Sequence, residues 1–161
     1  MAMHITLLTV GKLKEKYLRE ALAEYEKRLS RYCSLKILEV ADEKTPDAPT
    51  PAQKGMILDA EAGRLLSVMP ADTYLITLEI KGKELSSEEL AERLADLPLR
   101  GKSNLTFVIG GSLGLSEKIT GRSDLALSFS RMTFPHQLMR VILLEQIYRA
   151  FRINSHEPYH K

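Results

Sequence analysis

Two spacings of apolar residues alternate along the chain, one of strands and one of helices. His4 to Val10 (HITLLTV) is a run of apolar and β-branched residues ending at Gly11, the mark of a buried strand. From Lys14 to Tyr32, Tyr17, Leu18, Leu22, Tyr25 and Leu29 fall on one helical face, with Lys and Glu on the other. Leu35 to Ala41 alternates as a second strand, and the proline-rich stretch from Asp42 to Pro51 reads as a surface loop. Ala52 to Met69 has helical spacing and stops at Pro70, and Thr73 to Glu79 forms the next strand, with Gly82 turning the chain after it. Ser86-Ser87-Glu88-Glu89 has the form of a capping box and opens a helix to Asp96. Asn104 to Ile109 is a strongly apolar strand running into Gly110-Gly111. A short helix from Ser116 to Thr120 ends at Gly121, and Leu125 to Phe129 is a fifth strand. The last helix is expected to start with Thr133 as its N-cap and Pro135 in its first turn, and to reach Ile153. Asn154 to Lys161 is a polar, irregular tail. The order βαβαβαβ(α)βα predicts an α/β fold: a mostly parallel sheet with helices on both faces, in one domain over residues 1–161.

Composition narrows the class without choosing a function. A chain of 161 residues with 44% apolar and 27% charged positions can bury one core, so disorder is not expected. The longest apolar run, Val141 to Leu144, is far too short to cross a membrane. No secretory signal opens the sequence, and Cys33 is the single cysteine, which rules out an intrachain disulfide and a multi-thiolate metal site. These features fit a cytoplasmic protein. A net charge of +2 permits an RNA partner without demanding one.

In parallel sheets ligands gather beyond the carboxyl ends of the strands. Three such ends carry chemistry: Leu78 to Gly82, Gly110 to Gly114, and Ser128 to Pro135. The glycine turn lacks the Gly-Lys-Ser/Thr ending of a phosphate loop and the spacing of a dinucleotide fingerprint. On the last helix Leu138, Ile142, Glu145, Arg149 and Arg152 recur beside an apolar stripe of Val141, Leu144, Tyr148 and Phe151. Apolar residues on more than one face suggest a second subunit as well as the sheet. Three of the four histidines, His136, His156 and His160, fall near the end of the chain. His156 and His160 have no third ligand, and Pro158 breaks any helix that would align them, so no metal site is expected.

Taken in order, Val108-Ile109-Gly110-Gly111-Ser112-Leu113-Gly114, Thr133-Phe134-Pro135-His136, Glu145-Gln146-Ile147-Tyr148-Arg149-Ala150 and Pro158-Tyr159-His160 resemble the ribosomal RNA large-subunit methyltransferase H family. Its members are SPOUT-class enzymes that methylate N3 of a pseudouridine in 23S rRNA. The resemblance spans the chain from Met3 and implies a trefoil-knotted C-terminal half and a homodimer that shares its active site between subunits. It implies S-adenosylmethionine as methyl donor, held by Leu78, Gly110, Phe129, Ser130, Arg131, Met132, Thr133 and Phe134, with Leu78, Leu115, Met132 and Phe134 around the adenine. It also implies that the substrate is 23S rRNA within the assembled ribosome. Because N3 carries a proton that must leave, a base is needed. His160 is the first candidate, with Tyr159 beside it and Arg149 on the base or a phosphate. Arg152 is a further candidate for base or phosphate, Lys161 for phosphate, and His136 and Glu145 are alternative bases. Lys12, Lys14, Lys81 and Arg131 are candidate phosphate contacts. The competing readings are a SPOUT methyltransferase for tRNA or another rRNA site, and a ribosome-associated binding module without catalysis. A flavodoxin-like nucleotide binder is disfavoured by the absent phosphate loop.

Overall fold

The computed structural model describes residues 2–161. Five strands, β1 (Met3–Val10), β2 (Cys33–Val40), β3 (Tyr74–Glu84), β4 (Asn104–Ile109) and β5 (Leu125–Ser128), form one sheet in the order β2-β1-β4-β3-β5. Every strand pair is parallel. The helices are α1 (Lys16–Leu29), α2 (Pro51–Val68), α3 (Ser87–Leu99), α4 (Glu117–Thr120) and α5 (His136–Asn154). The sheet has helices on both faces because its central strands are apolar on both. In β1, Ile5 and Leu7 pack with α1, α3 and α5, while Leu8 and Val10 pack with α2 and α4. In β4, Phe107 and Val108 divide the same way and both are fully buried.

Several local expectations shift. The first helix is shorter than its apolar face suggested, starting at Lys16 and ending at Leu29. α2 begins at Pro51, inside the expected loop, because Thr50 accepts from the Gln53 N–H while the Gln53 side chain accepts from the Thr50 N–H. Thr50→Ala is therefore expected to lower stability by about 1 kcal/mol, read from a urea midpoint. Gly82 does not turn the chain; it lies within β3, where a Cβ would stand 2.7 Å from the Ala126 backbone. β3 is bulged between Leu78 and Lys83: residues 79–82 have no register partner on β5, and Lys83 and Glu84 resume pairing with Leu127 and Ser128. The cap of α5 is Pro135, whose extended ψ of 131° keeps it outside the helix, and Thr133 caps nothing. Cys33 is buried, which pushes its thiol up to about 11, so it is unreactive at neutral pH.

Candidate active site

The bulge of β3, the turn after β4 and the segment after β5 meet at the carboxyl end of the sheet. They enclose a cleft of about 530 Å³, a size suited to a small-molecule ligand. Each wall has a local cause. Gly110 is buried, and a Cβ there would lie 2.6 Å from the carbonyl carbon of Gly114, closer still to its oxygen. Only glycine lets the turn fold this tightly onto itself. Gly114 closes it at φ +87°, with its N–H donating to the Gly111 carbonyl at 3.1 Å. The β3 bulge is pinned by Ser128, whose hydroxyl contacts the carbonyls of Ile80 at 2.8 Å and Ser130 at 3.1 Å. Residues 129–135 then leave the edge strand β5 and reach α5, whose start is tied to the loop after β1. There the Gln137 amide donates to the Lys12 carbonyl at 3.2 Å.

Of the residues assigned to the cofactor, Leu78, Gly110, Phe129, Ser130, Met132, Thr133 and Phe134 line this cleft. Arg131 is exposed and outside its wall, and Leu115, half-buried against the core, lies outside it too. Glu79 and His136 are the only titratable side chains in the wall. Glu79 accepts from the Thr77 hydroxyl at 2.6 Å. Burial holds the His136 imidazole below its ordinary value, Arg140 reinforces this and Asp42 opposes it, so His136 is a neutral ring at pH 7.

Sequence reading missed the residues behind the wall. Arg140, on α5, is fully buried: it donates to Glu39 at 2.6 Å and to the carbonyls of Val10 at 3.1 Å and Gly11 at 2.8 Å. Glu61, on α2, is buried beside Gly111 and accepts from the Glu43 N–H at 3.0 Å. Its carboxyl is raised above the ordinary range by burial. The only sequence signal for either is a charged residue on the apolar side of a helix.

The tail does not fray. Tyr159 donates to Glu145 at 2.7 Å, Arg149 donates to the other Glu145 oxygen at 2.8 Å, and the Arg149 guanidinium lies 4.7 Å from the Tyr159 ring centre. Burial and the Glu145 carboxylate push Tyr159 up to about 12, so it stays a phenol and donates. Arg149 also contacts His160 Nδ1 at 3.1 Å. A guanidinium only donates, so Nδ1 accepts and Nε2 carries the proton that faces Glu88. Tyr159, His160 and Arg149 are thus brought together, but none of them lines the cleft of the same chain. Nearer the chain's turn, Glu157 accepts from Tyr32 and from Arg152, each at 2.6 Å. The Tyr32 hydroxyl, and then Arg152, hold its carboxyl below the ordinary 4.5. This docking is complete above 4.5 and is lost as pH falls through the lowered value, so the tail is expected to release only in acid. Hydrogen exchange at residues 157–161 against pH reads this.

A wider basin of about 960 Å³ runs along α3, lined by charges of both signs such as Glu92, Arg93 and Asp96. It touches none of the strand ends that carry chemistry. Among the described residues no group of His, Cys, Asp and Glu is arranged to hold a metal. None of the helices is long and apolar enough to cross a membrane.

Known proteins match almost the whole length of this chain. A methylase family protein from Haemophilus influenzae Rd KW20 superposes with a TM-score of 0.54 at 13% identity, over 98% of this chain and 70% of that one. A chain of Methanococcus maripaludis is 62% identical over 159 residues, 99% of this chain and all of that one. The ribosomal RNA large subunit methyltransferase H of Clostridium novyi is 58% identical, and that of Clostridioides difficile 56%, over the same shares. The family model described as "Predicted SPOUT methyltransferase" matches residues 3–160. The chain belongs to the SPOUT methyltransferase family, among the ribosomal RNA large-subunit methyltransferases H.

Proposed function

We propose that this protein is a cytoplasmic homodimer that methylates N3 of a pseudouridine in 23S rRNA of the assembled ribosome, with S-adenosylmethionine as donor. The observation that carries the reading is the strand-end cleft, whose wall contains seven of the eight residues assigned to the cofactor. Relatives of 56–58% identity that carry the rRNA methyltransferase name support the substrate class.

The cleft suits this donor. Its wall is mostly apolar, with a glycine backbone at Gly110, Gly111 and Gly114 and one carboxylate, Glu79, and it has no basic cradle of the kind a polyphosphate needs. Leu78, Met132 and Phe134 would flank the adenine, and backbone groups of residues 129–134 would hold its polar edge. When bound, S-adenosylmethionine supplies a methyl group already activated on a sulfonium. The chain's own task is to hold N3 in line and remove its proton.

His160 would take that proton at Nδ1, once Arg149 gives up its hold on that nitrogen. Arg149 would then stand beside the N3 anion and favour it. Tyr159 keeps its proton and positions Glu145. Since the tail group lies outside its own chain's cleft, we place it at the partner's. Ile80, Met132, Phe134 and Leu138, apolar and 36–75% exposed beside the cleft, supply a face for that partner to cover. The crossing of residues 129–135 from β5 to the loop after β1 suits a knotted path. Lys12, Lys14, Lys81 and Arg131 are exposed around the same end and would meet phosphates.

His160→Ala is expected to lower methyl transfer by about 10²–10⁴-fold with cofactor affinity intact. Labelled transfer to ribosomes, free rRNA and tRNA in parallel reads the rate and the substrate together. Labelling of tRNA alone points to the tRNA-directed reading, and cofactor binding without transfer to any RNA points to the non-catalytic one. A mixture of Gly110→Ala and His160→Ala chains is expected to regain roughly a quarter of wild-type activity if the site is shared across a dimer. A mixture no better than either variant alone contradicts the shared site.

A further inference from the structure

A second cavity, of about 390 Å³, adjoins the cleft and shares Leu127, Phe129 and Phe134 with it. Its floor is apolar, with Leu90 and Ile142, but its far wall carries Ser87 from α3 and Gln146 from α5. The Ser87 hydroxyl donates to Gln146 Oε1 at 2.7 Å and holds the carboxamide in the wall. Oε1 keeps a second lone pair, and among the described residues the Gln146 amide nitrogen donates no hydrogen bond. A half-buried primary amide with an unused acceptor site and an unused donor, set above an apolar floor beside a ligand cleft, is suited to read a flat polar edge.

We propose that this cavity receives the target base and that Gln146 selects pseudouridine over uridine. The inference rests on the reading of the chain as a pseudouridine N3-methyltransferase. In pseudouridine the ribose is attached at C5, so N1–H and C2=O lie side by side, next to N3. That donor–acceptor edge matches a carboxamide in two hydrogen bonds: Oε1 accepts from N1–H and the amide nitrogen donates to O2. The match is the one by which Gln reads adenine. In uridine N1 carries the ribose, and the corresponding edge presents C5–H beside C4=O. The donor contact survives and the acceptor contact is lost. With this edge on the far wall, N3 is free to face the cleft, and Phe134, shared by both cavities, offers an aromatic face for stacking.

The test compares kcat/KM for ribosomes carrying pseudouridine at the target with that for ribosomes carrying uridine there, with S-adenosylmethionine affinity measured alongside. Wild type is expected to prefer pseudouridine. Gln146→Leu is expected to compress that preference by about tenfold to a hundredfold, through the loss on pseudouridine, with cofactor affinity unchanged. Gln146→Glu keeps an acceptor for N1–H and is expected to retain more of the preference than Gln146→Leu, which separates reading from any packing effect between α3 and α5. If both substrates fall equally in both variants, Gln146 is a packing residue and the inference is overturned. If wild type methylates neither kind of ribosome, the proposed function fails along with it.

Discussion

Gly110→Ala is expected to weaken binding of S-adenosylmethionine by about a hundredfold. The added methyl would stand 2.6 Å from the Gly114 carbonyl carbon, and its neighbours there are backbone, which cannot swing aside as a long side chain would. Gly114 is itself fixed at φ +87° and bridged to Gly111, so the turn has no slack at its other end. Relief requires the whole 110–114 turn to move out into the cleft it lines. A shift of about 1 Å in a binding wall is enough for a loss on the order of a hundredfold. The stability cost of forcing the methyl in is about 1–3 kcal/mol. Titration calorimetry with the cofactor and a thermal unfolding scan measure the two effects. Gly111→Ala is the control, because its nearest neighbour, a Val10 methyl at 3.3 Å, can yield by a few tenths of an ångström. Equal cofactor affinity in wild type and Gly110→Ala would mean that the turn is not the cofactor's wall.

Arg140→Met is expected to produce a large loss of stability, about 3 kcal/mol. The guanidinium is fully buried and ties the first turns of α5 to the ends of β1 and β2 through Glu39 and the Val10 and Gly11 carbonyls. Methionine fills much of the volume but leaves those carbonyls without their donor and Glu39 without its cation. Removing one partner of a buried pair costs about 3–5 kcal/mol. The lower end applies because the Glu39 side chain is 38% exposed and water can solvate it. Glu39 also accepts from the Leu13 N–H at 3.0 Å, so the loop after β1 loosens with it. His136 sits one turn before Arg140 in the cleft wall, so cofactor affinity is expected to fall as well. Urea unfolding of Arg140→Met and of Glu39→Gln decides the point: a loss below about 1 kcal/mol in Arg140→Met contradicts the anchoring role.

The sheet and its helices were legible because burial on both faces writes near-continuous apolar runs into β1 and β4, and one-sided burial writes a helical stripe into α1. The cleft was legible for a related reason: strand ends followed by glycine and by Phe134-Pro135 break both spacings. Less could be read where local and tertiary forces compete. Gly82 looks like a turn by propensity, yet it is kept in β3 by the close approach of Ala126. Thr133 looks like a cap, but the chain stays extended through Pro135 and α5 starts only at His136. Arg140 appears in the sequence as one more charge on a helix, since its three acceptors lie at the ends of strands far away along the chain. The same is true of the docked tail, whose partners Glu88 and Tyr32 no local pattern connects to residues 157–160.

The chemical identity and position of the methylated nucleotide decide whether the protein is a pseudouridine N3-methyltransferase. Ribosomes lacking the modification are incubated with the protein and S-adenosylmethionine, and the 23S rRNA is digested and read by mass spectrometry. The expected product is a single added methyl on N3 of one pseudouridine, present with wild type and reduced at least about a hundredfold with His160→Ala. A methyl on a ribose, on another base, or on no nucleotide of 23S rRNA contradicts it.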